Sequence, residues 1–289
     1  MVVIYIMSLS RSGSTFLEFL LANNSNIVTV GEVNHVLNEY CQMNPPKNPP
    51  HGACCSCGEK PNECHFWGPI LPTFYKSSKI EGLSLVLERF QEIYPDKMMV
   101  DSSKIWDVIE YYYLSKLISA KEPNISLKVL LLVRDFRAWT CSMKNYYLRT
   151  ETVLSWKNNL LVNSYRWLYA NLKMLRKLTQ FNIDFLPVYY DNLIFDTDNQ
   201  LYRIYDFLNL PHSESTSLVS DRAHELYGSQ TMRSNKNKLS TIVYDTSWMY
   251  NLWFTILGPL FFPPAFFNYY YAKKCLAKKT RRSYFNKIQ

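Results

Sequence analysis

The feature that most constrains this chain is an alternation of short apolar or β-branched runs with stretches of helical spacing. Residues 2–7 read as a buried strand, and residues 14–22 follow with Phe16, Leu17, Leu20 and Leu21 on one helical face. Residues 27–30 read as a second short strand. Helical spacing returns at Leu83, Val86, Leu87 and Phe90, then a strand at 97–100, then a helix carrying Ile105, Val108, Ile109 and Tyr112 at i, i+3, i+4, i+7. Residues 127–133 form the clearest buried strand, followed by a helix to about Leu148. The pattern further predicts a long amphipathic helix over 154–178, a strand over 183–189 and a helix over 201–210. Pro187 puts that last strand at a sheet edge or on a bulge. Strands alternating with helices predict an α/β sheet with helices on both faces. No repeat of 20–50 residues is present, which excludes solenoids and propellers.

The net charge of +8 is localised. Seven of the 32 basic residues lie between Lys273 and Lys287 with no acidic residue among them, leaving 25 against 24 acidic residues elsewhere. A nearly neutral body argues against a nucleic-acid partner. The apolar start, residues 1–7, is short, lacks a basic leader and runs into a polar loop, so it reads as a strand rather than a signal peptide. A cytoplasmic body is expected, in which seven cysteines are thiols or metal ligands more readily than disulfides.

The first loop, Ser8-Leu-Ser-Arg-Ser-Gly-Ser-Thr15, joins strand one to helix one. Such a turn leaves the first N–H groups of the helix unpaired and places partial positive charge there. Small residues admit a tetrahedral anion, Ser12, Ser14 and Thr15 add hydroxyls, and Arg11 adds a full charge. The loop has one glycine and no Gly-Lys-[Ser/Thr] ending, unlike the ATPase and GTPase loop. A second anion site is expected where Arg134 leaves the central strand at its carboxyl end, with Ser142 two helical turns on. The alternative for Arg134 is pairing with a carboxylate such as Asp135.

Taken together, the two loops resemble those of the sulfotransferases that use 3′-phosphoadenosine 5′-phosphosulfate (PAPS). Residues 10–17 are similar to the 5′-phosphosulfate loop and residues 134–142 to the 3′-phosphate motif. Val100-Asp-Ser-Ser-Lys104, Tyr190-Asp-Asn-Leu193 and the end of the cysteine insert, Cys64-His-Phe-Trp67, also resemble segments of that family, so the likeness covers roughly residues 1–250. Asp191 stands where relatives more often carry Glu, and Phe136 where they carry Pro. The resemblance implies a P-loop-kinase-like fold in one domain, residues 1–250, with a Cys/Pro-rich insert or lid at 41–72 and an extension at 251–289. It implies PAPS as donor co-substrate, held by Arg11, Ser12, Gly13, Ser14, Thr15, Arg134, Ser142 and Arg233, and a hydroxyl or amine acceptor on a carbohydrate, glycolipid or other lipid-linked molecule. Lys104 is the second cation, Glu32 the first choice of general base and His35 the second; the transfer itself requires no metal. An ATP-dependent kinase and a non-catalytic membrane-peripheral binding protein are the alternative functions.

Two segments stay open. Cys54, Cys55, Cys57, Cys64 and His65 lie within twelve residues, so zinc, unmetallated thiols and a disulfide are all compatible with the insert. Residues 246–272 carry no charge and are rich in aromatics, with Pro263-Pro264 in the middle and the basic tail after them. A kinked interfacial segment on anionic headgroups is one reading, a terminal helix packed on the core the other.

Overall fold

The computed structural model describes residues 1–42, 54–118, 125–149, 159–212, 223–228 and 244–276. In chain order the elements are β1 (Val2–Ser8), α1 (Ser14–Ala22), β2 (Ile27–Gly31), α2 (Val33–Tyr40), α3 (Leu71–Phe74), α4 (Lys79–Ile93), β3 (Met98–Lys104), α5 (Trp106–Ile118), β4 (Ser126–Val133), α6 (Phe136–Arg149), α7 (Leu160–Gln180), β5 (Phe185–Tyr189), α8 (Tyr190–Phe195), α9 (Thr197–Leu208), α10 (Trp253–Ile256) and α11 (Phe262–Leu276). The strands form one five-stranded parallel sheet flanked by helices, in the order β2-β3-β1-β4-β5. This is the expected α/β class, and β5, the strand carrying Pro187, lies at an edge.

Two compact units divide the chain: Met1–Met7, Ser14–Leu130 and Leu201–Thr241 in the first, Ser8–Gly13, Leu131–Gln200 and Ile242–Gln289 in the second. In the first, β1 pairs with β3 in parallel register (Ile4 with Val100, Met7 with Lys104), and β3 pairs with β2. Helix α1 is buried along its whole length, Glu18 included, rather than on one face as its pattern predicts. Strand β3 runs four residues beyond the expected Val100. Its polar continuation is tolerated in part because the buried Asp101 carboxylate accepts from the Ser103 amide at 2.8 Å and the Tyr112 hydroxyl at 2.8 Å. Helix α4 opens on a capping box: Ser78 accepts from the Glu81 amide while Glu81 reaches back to the Ser78 amide.

The described part of the insert, from residue 54, is better packed than its composition suggests. Cys64, Phe66, Trp67 and Phe74 are fully buried, and the Phe66 and Trp67 rings meet edge to face at 4.9 Å. The chain turns so tightly there that a Cβ on Gly68 would lie 2.5 Å from the Asn62 carbonyl oxygen and 2.9 Å from that of Cys64.

In the second unit α7 is capped by Asn159, whose side chain accepts from the amides of Leu161 and Val162. Its buried face carries Asn163, Trp167, Asn171, Met174 and Leu178, the periodicity expected for an amphipathic helix. The prolines 263 and 264 begin α11 instead of kinking it, since the first turn of a helix has no amide bonds to lose. One face of α11 packs: Phe267, Tyr271 and Cys275 are buried, and the Tyr271 hydroxyl donates to the Leu131 carbonyl at 2.6 Å. Phe262, Phe266, Tyr269 and Tyr270 stay exposed. Among the described residues no helix is long and apolar enough to cross a membrane. The basic tail from residue 277 lies outside the described residues.

Because the atoms crowding Gly68 are backbone, they have no rotamer by which to yield. Gly68→Ala is therefore expected to lower stability by about 1–3 kcal/mol, read from the midpoint of urea unfolding.

Candidate functional site

Four strands hand the chain on at their carboxyl ends to a residue singled out in the sequence. The loop of residues 8–13 follows β1, Glu32 follows β2, Lys104 ends β3 and Arg134 follows β4. In open parallel sheets this is the edge at which ligands bind. Two of these positions, Arg11 (φ 70°) and Lys104 (φ 71°), take the left-handed backbone that non-glycine residues seldom adopt, as strained functional positions often do.

The first unit brings Glu32, Lys104 and His35 together. Lys104 Nζ donates to one oxygen of Glu32, and His35 Nε2 lies 3.1 Å from the other. The lysine and glutamate side chains are only 10% and 11% exposed, while His35 faces solvent and stacks on Tyr227 at 5.4 Å. Burial opposes the Glu32 charge, but the His35 hydrogen bond and then Lys104 hold its carboxyl below the usual range. Ser103 supports this corner: its hydroxyl accepts from the Asn34 amide at 2.8 Å, in the first turn of α2. Burial pushes the Asp101 carboxyl up to about 6, against hydrogen bonds from Ser103 and Tyr112. Glu18, which the sequence reading passed over as a helix residue, is fully buried. Burial first, then the nearby Glu225 carboxylate, raise its carboxyl well above the usual value, with Lys104 partly offsetting them.

The second unit joins Arg11, Arg134 and Ser142, which the sequence assigns to two separate motifs. Arg134, 7% exposed, donates to the Arg11 carbonyl at 3.1 Å across 123 residues of sequence, and Arg11 Nε donates to the Ser142 hydroxyl at 3.3 Å. The Arg134 carbonyl accepts from Trp167 Nε1 at 3.1 Å, and Trp139 Nε1 donates to the Ser10 carbonyl at 2.8 Å, so two indoles fix both loop backbones. Arg134 lies 5.1 Å from the Tyr190 ring centroid and 3.4 Å from Asp245, and its Nε has no hydrogen-bond partner among the described residues. The Tyr190 ring lies so close to the loop that a Cβ on Gly13 would fall 2.2 Å from it, which is why this position takes glycine. The expected alternative, pairing of Arg134 with a carboxylate, is met by Asp245 at 3.4 Å; among the described residues Asp135 is bound instead by Arg137, at 3.0 and 2.8 Å, and by Asn268 at 3.0 Å. Beside that pair opens a cavity of about 580 Å³ lined by Arg137, Tyr189, Asp191, Tyr244 and Trp248.

Ser12, Ser14 and Thr15 are buried at the start of α1, and Arg233 lies outside the described residues. Of the cysteine candidates, Cys55, Cys57 and Cys64 converge with His224, whereas Cys54 is exposed and is not part of that group. The histidine beside the thiols is His224 rather than His65, which hydrogen-bonds Tyr94 at 2.9 Å. Asp245, Glu18 and His224 carry no local sequence signal. Tyr190 did: it opens the Tyr-Asp-Asn-Leu segment already set apart.

No protein-family model matches the chain, and no curated protein matches it by sequence. Solved structures do. The sulfotransferase domain from the curacin biosynthetic pathway matches with a TM-score of 0.54 at 20% identity, over 85% of this chain and 88% of that one. The sulfotransferase domain from the Synechococcus PCC 7002 olefin synthase matches with a TM-score of 0.52 at 16% identity, over 89% and 94%. The chain shares the fold of these domains.

The Glu18 carboxyl has a consequence for stability. A folded-state pKa raised by burial contributes stability that is complete below the unfolded value and is lost as pH rises through the folded one. Glu18→Gln should therefore match the parent in urea unfolding at about pH 4 and exceed it at about pH 8. Equal stability at both pH values would contradict the assignment.

Proposed function

We propose that the chain is a sulfotransferase that moves a sulfuryl group from PAPS to a hydroxyl, or less favourably an amine, of a carbohydrate or lipid-linked acceptor. The observation that carries this reading is the meeting of Arg134, Arg11 and Ser142. Two segments with anion-binding character, far apart in sequence, share one hydrogen-bonded cationic cluster, in which a buried guanidinium keeps a donor with no partner among the described residues. A buried charge of this kind calls for an anion, and a nucleotide phosphate would replace the half-exposed Asp245 now beside it. The fold shared with two sulfotransferase domains supports the same reading. A kinase loop would carry lysine after Gly13, where Ser14 stands.

The residues divide the work as follows. Arg11, Arg134 and Ser142 bind the donor's anionic groups, together with Ser12 and the backbone amides of Gly13, Ser14 and Thr15. Arg233 is assigned to the donor's 3′-phosphate by resemblance alone. Lys104 neutralises the sulfuryl group in flight and donates its proton to the leaving phosphate oxygen, while Glu32 accepts the acceptor's proton. Held by Lys104 and His35, Glu32 is a weak base. When Lys104 turns to the donor, one of the two groups that lower the Glu32 carboxyl is withdrawn, which raises its pKa while the His35 hydrogen bond still opposes burial. Donor binding thereby makes Glu32 a stronger base, and His35 is the second candidate for that role. The catalytic body is read as cytoplasmic. The exposed aromatic face of α11, followed by Lys273 and Lys274, supports peripheral contact with a membrane and hence a lipid-linked acceptor.

Two measurements test the proposal. In calorimetry, 3′-phosphoadenosine 5′-phosphate should bind at least about tenfold tighter than ADP or ATP, and Arg134→Ala should remove at least about tenfold of that affinity. Equal binding of the three nucleotides would reject PAPS as donor. Glu32→Gln should cut turnover by about 100-fold while leaving the calorimetric affinity for 3′-phosphoadenosine 5′-phosphate unchanged; comparable turnover would remove Glu32 from the role.

A further inference from the structure

The geometry points to a structural zinc site in the first unit, formed by Cys55, Cys57, Cys64 and His224, that staples the insert to the segment beside β2. The site is independent of the sulfotransferase reading. The four ligand atoms all lie within 4.8 Å of one another. A tetrahedral ion with zinc–sulfur bonds of about 2.3 Å and a zinc–nitrogen bond of about 2.0–2.1 Å has edges of roughly 3.8 Å between sulfurs and roughly 3.5 Å from sulfur to nitrogen. The Cys57 and Cys64 sulfurs are 3.7 Å apart, and Cys64 Sγ lies 3.5 Å from His224 Nδ1. Both spacings fit the tetrahedron. A disulfide, with sulfurs about 2.05 Å apart, would leave one thiol and the imidazole behind; zinc uses all four groups.

The surroundings are those of a metal ligand set. His224 Nε2 is engaged by the Tyr94 hydroxyl at 2.8 Å, which fixes the ring and directs Nδ1 at the sulfurs. Phe66 stacks on the same imidazole at 5.5 Å, with the rings 17° from parallel. Cys55, Cys64 and His224 are almost wholly buried. A tight turn, in which the Gly58 amide donates to the Cys55 carbonyl at 2.8 Å and the Cys55 amide to the Glu59 carbonyl at 2.6 Å, presents Cys55 and Cys57 side by side. Three thiolates and one imidazole around a divalent ion leave one negative charge. Four protein ligands leave no open position, so the ion is structural rather than catalytic.

The staple has a clear target. His224 comes 160 residues after Cys64, and its amide donates to the Thr29 carbonyl of β2 at 2.8 Å. Ser56 and Glu225 exchange two further bonds, Ser56 amide to Glu225 carbonyl at 3.0 Å and Glu225 amide to Ser56 hydroxyl at 2.7 Å. Zinc thereby ties a cysteine-rich segment and a distant strand-like stretch to the strand that leads into Glu32.

The full chain, produced with zinc in the medium and desalted, should carry about one zinc per molecule by elemental analysis, and cobalt(II) exchanged into it should show the visible bands of a tetrahedral thiolate site. Cys64→Ser and His224→Ala should lower metal affinity at least about tenfold, Cys54→Ser should leave it unchanged, and His224→Cys should keep the metal and shift the cobalt spectrum toward four thiolates. Should Cys64→Ser or His224→Ala fail to fold, the metal content of the parent and the His224→Cys spectrum decide. Folded parent protein without zinc or cobalt, iron in place of zinc, equal loss in Cys54→Ser, or a disulfide among the three thiols after anaerobic purification would each overturn the site.

Discussion

Lys104 and Arg134 carry full charges with little water around them, and a cation so placed must be met by negative charge or by oriented oxygens. Each is met in its own way. Lys104 is answered by a carboxylate that is itself buried. Arg134 is answered by a backbone carbonyl and by a carboxylate nearly half exposed, a weaker and more readily displaced partner. The same demand explains the positive φ at Lys104, a local cost that holds only where surrounding contacts enforce it.

How much of this the residues disclosed depended on whether the signal was local. The buried strand ending at Val133 and the loop between β1 and α1 were legible because hydrophobic run, small residues and charge adjoin in the chain. Pro187 marked an edge strand for the same reason. The second half of β3 was not legible, since Asp101, Ser102 and Ser103 read as loop, and the Tyr112 hydroxyl that makes the burial of Asp101 tolerable lies eleven residues away. Nor was the side-by-side placement of Arg11 and Ser142, whose motifs are individually ordinary.

Partners supplied from far away were beyond reach altogether. Asp245 follows a polar stretch with no pattern, and His224 reaches Cys64 only through the fold, so the thiol cluster looked like one built from adjacent residues with His65. The proline pair near the carboxyl end shows the opposite error. Read within an apolar run it suggests a kink, but prolines are neutral where a helix begins, and that is where the chain places them.

The short stretch at Ala223 and His224 pairs with Thr29 on the outer side of β2, the last strand of the sheet at that end, while β5 at the other end carries Pro187. A bare strand at either border would offer its amides and carbonyls to a second molecule. Here the chain's own return lies against one border and a proline sits in the other, so fewer backbone groups are left at either for such pairing.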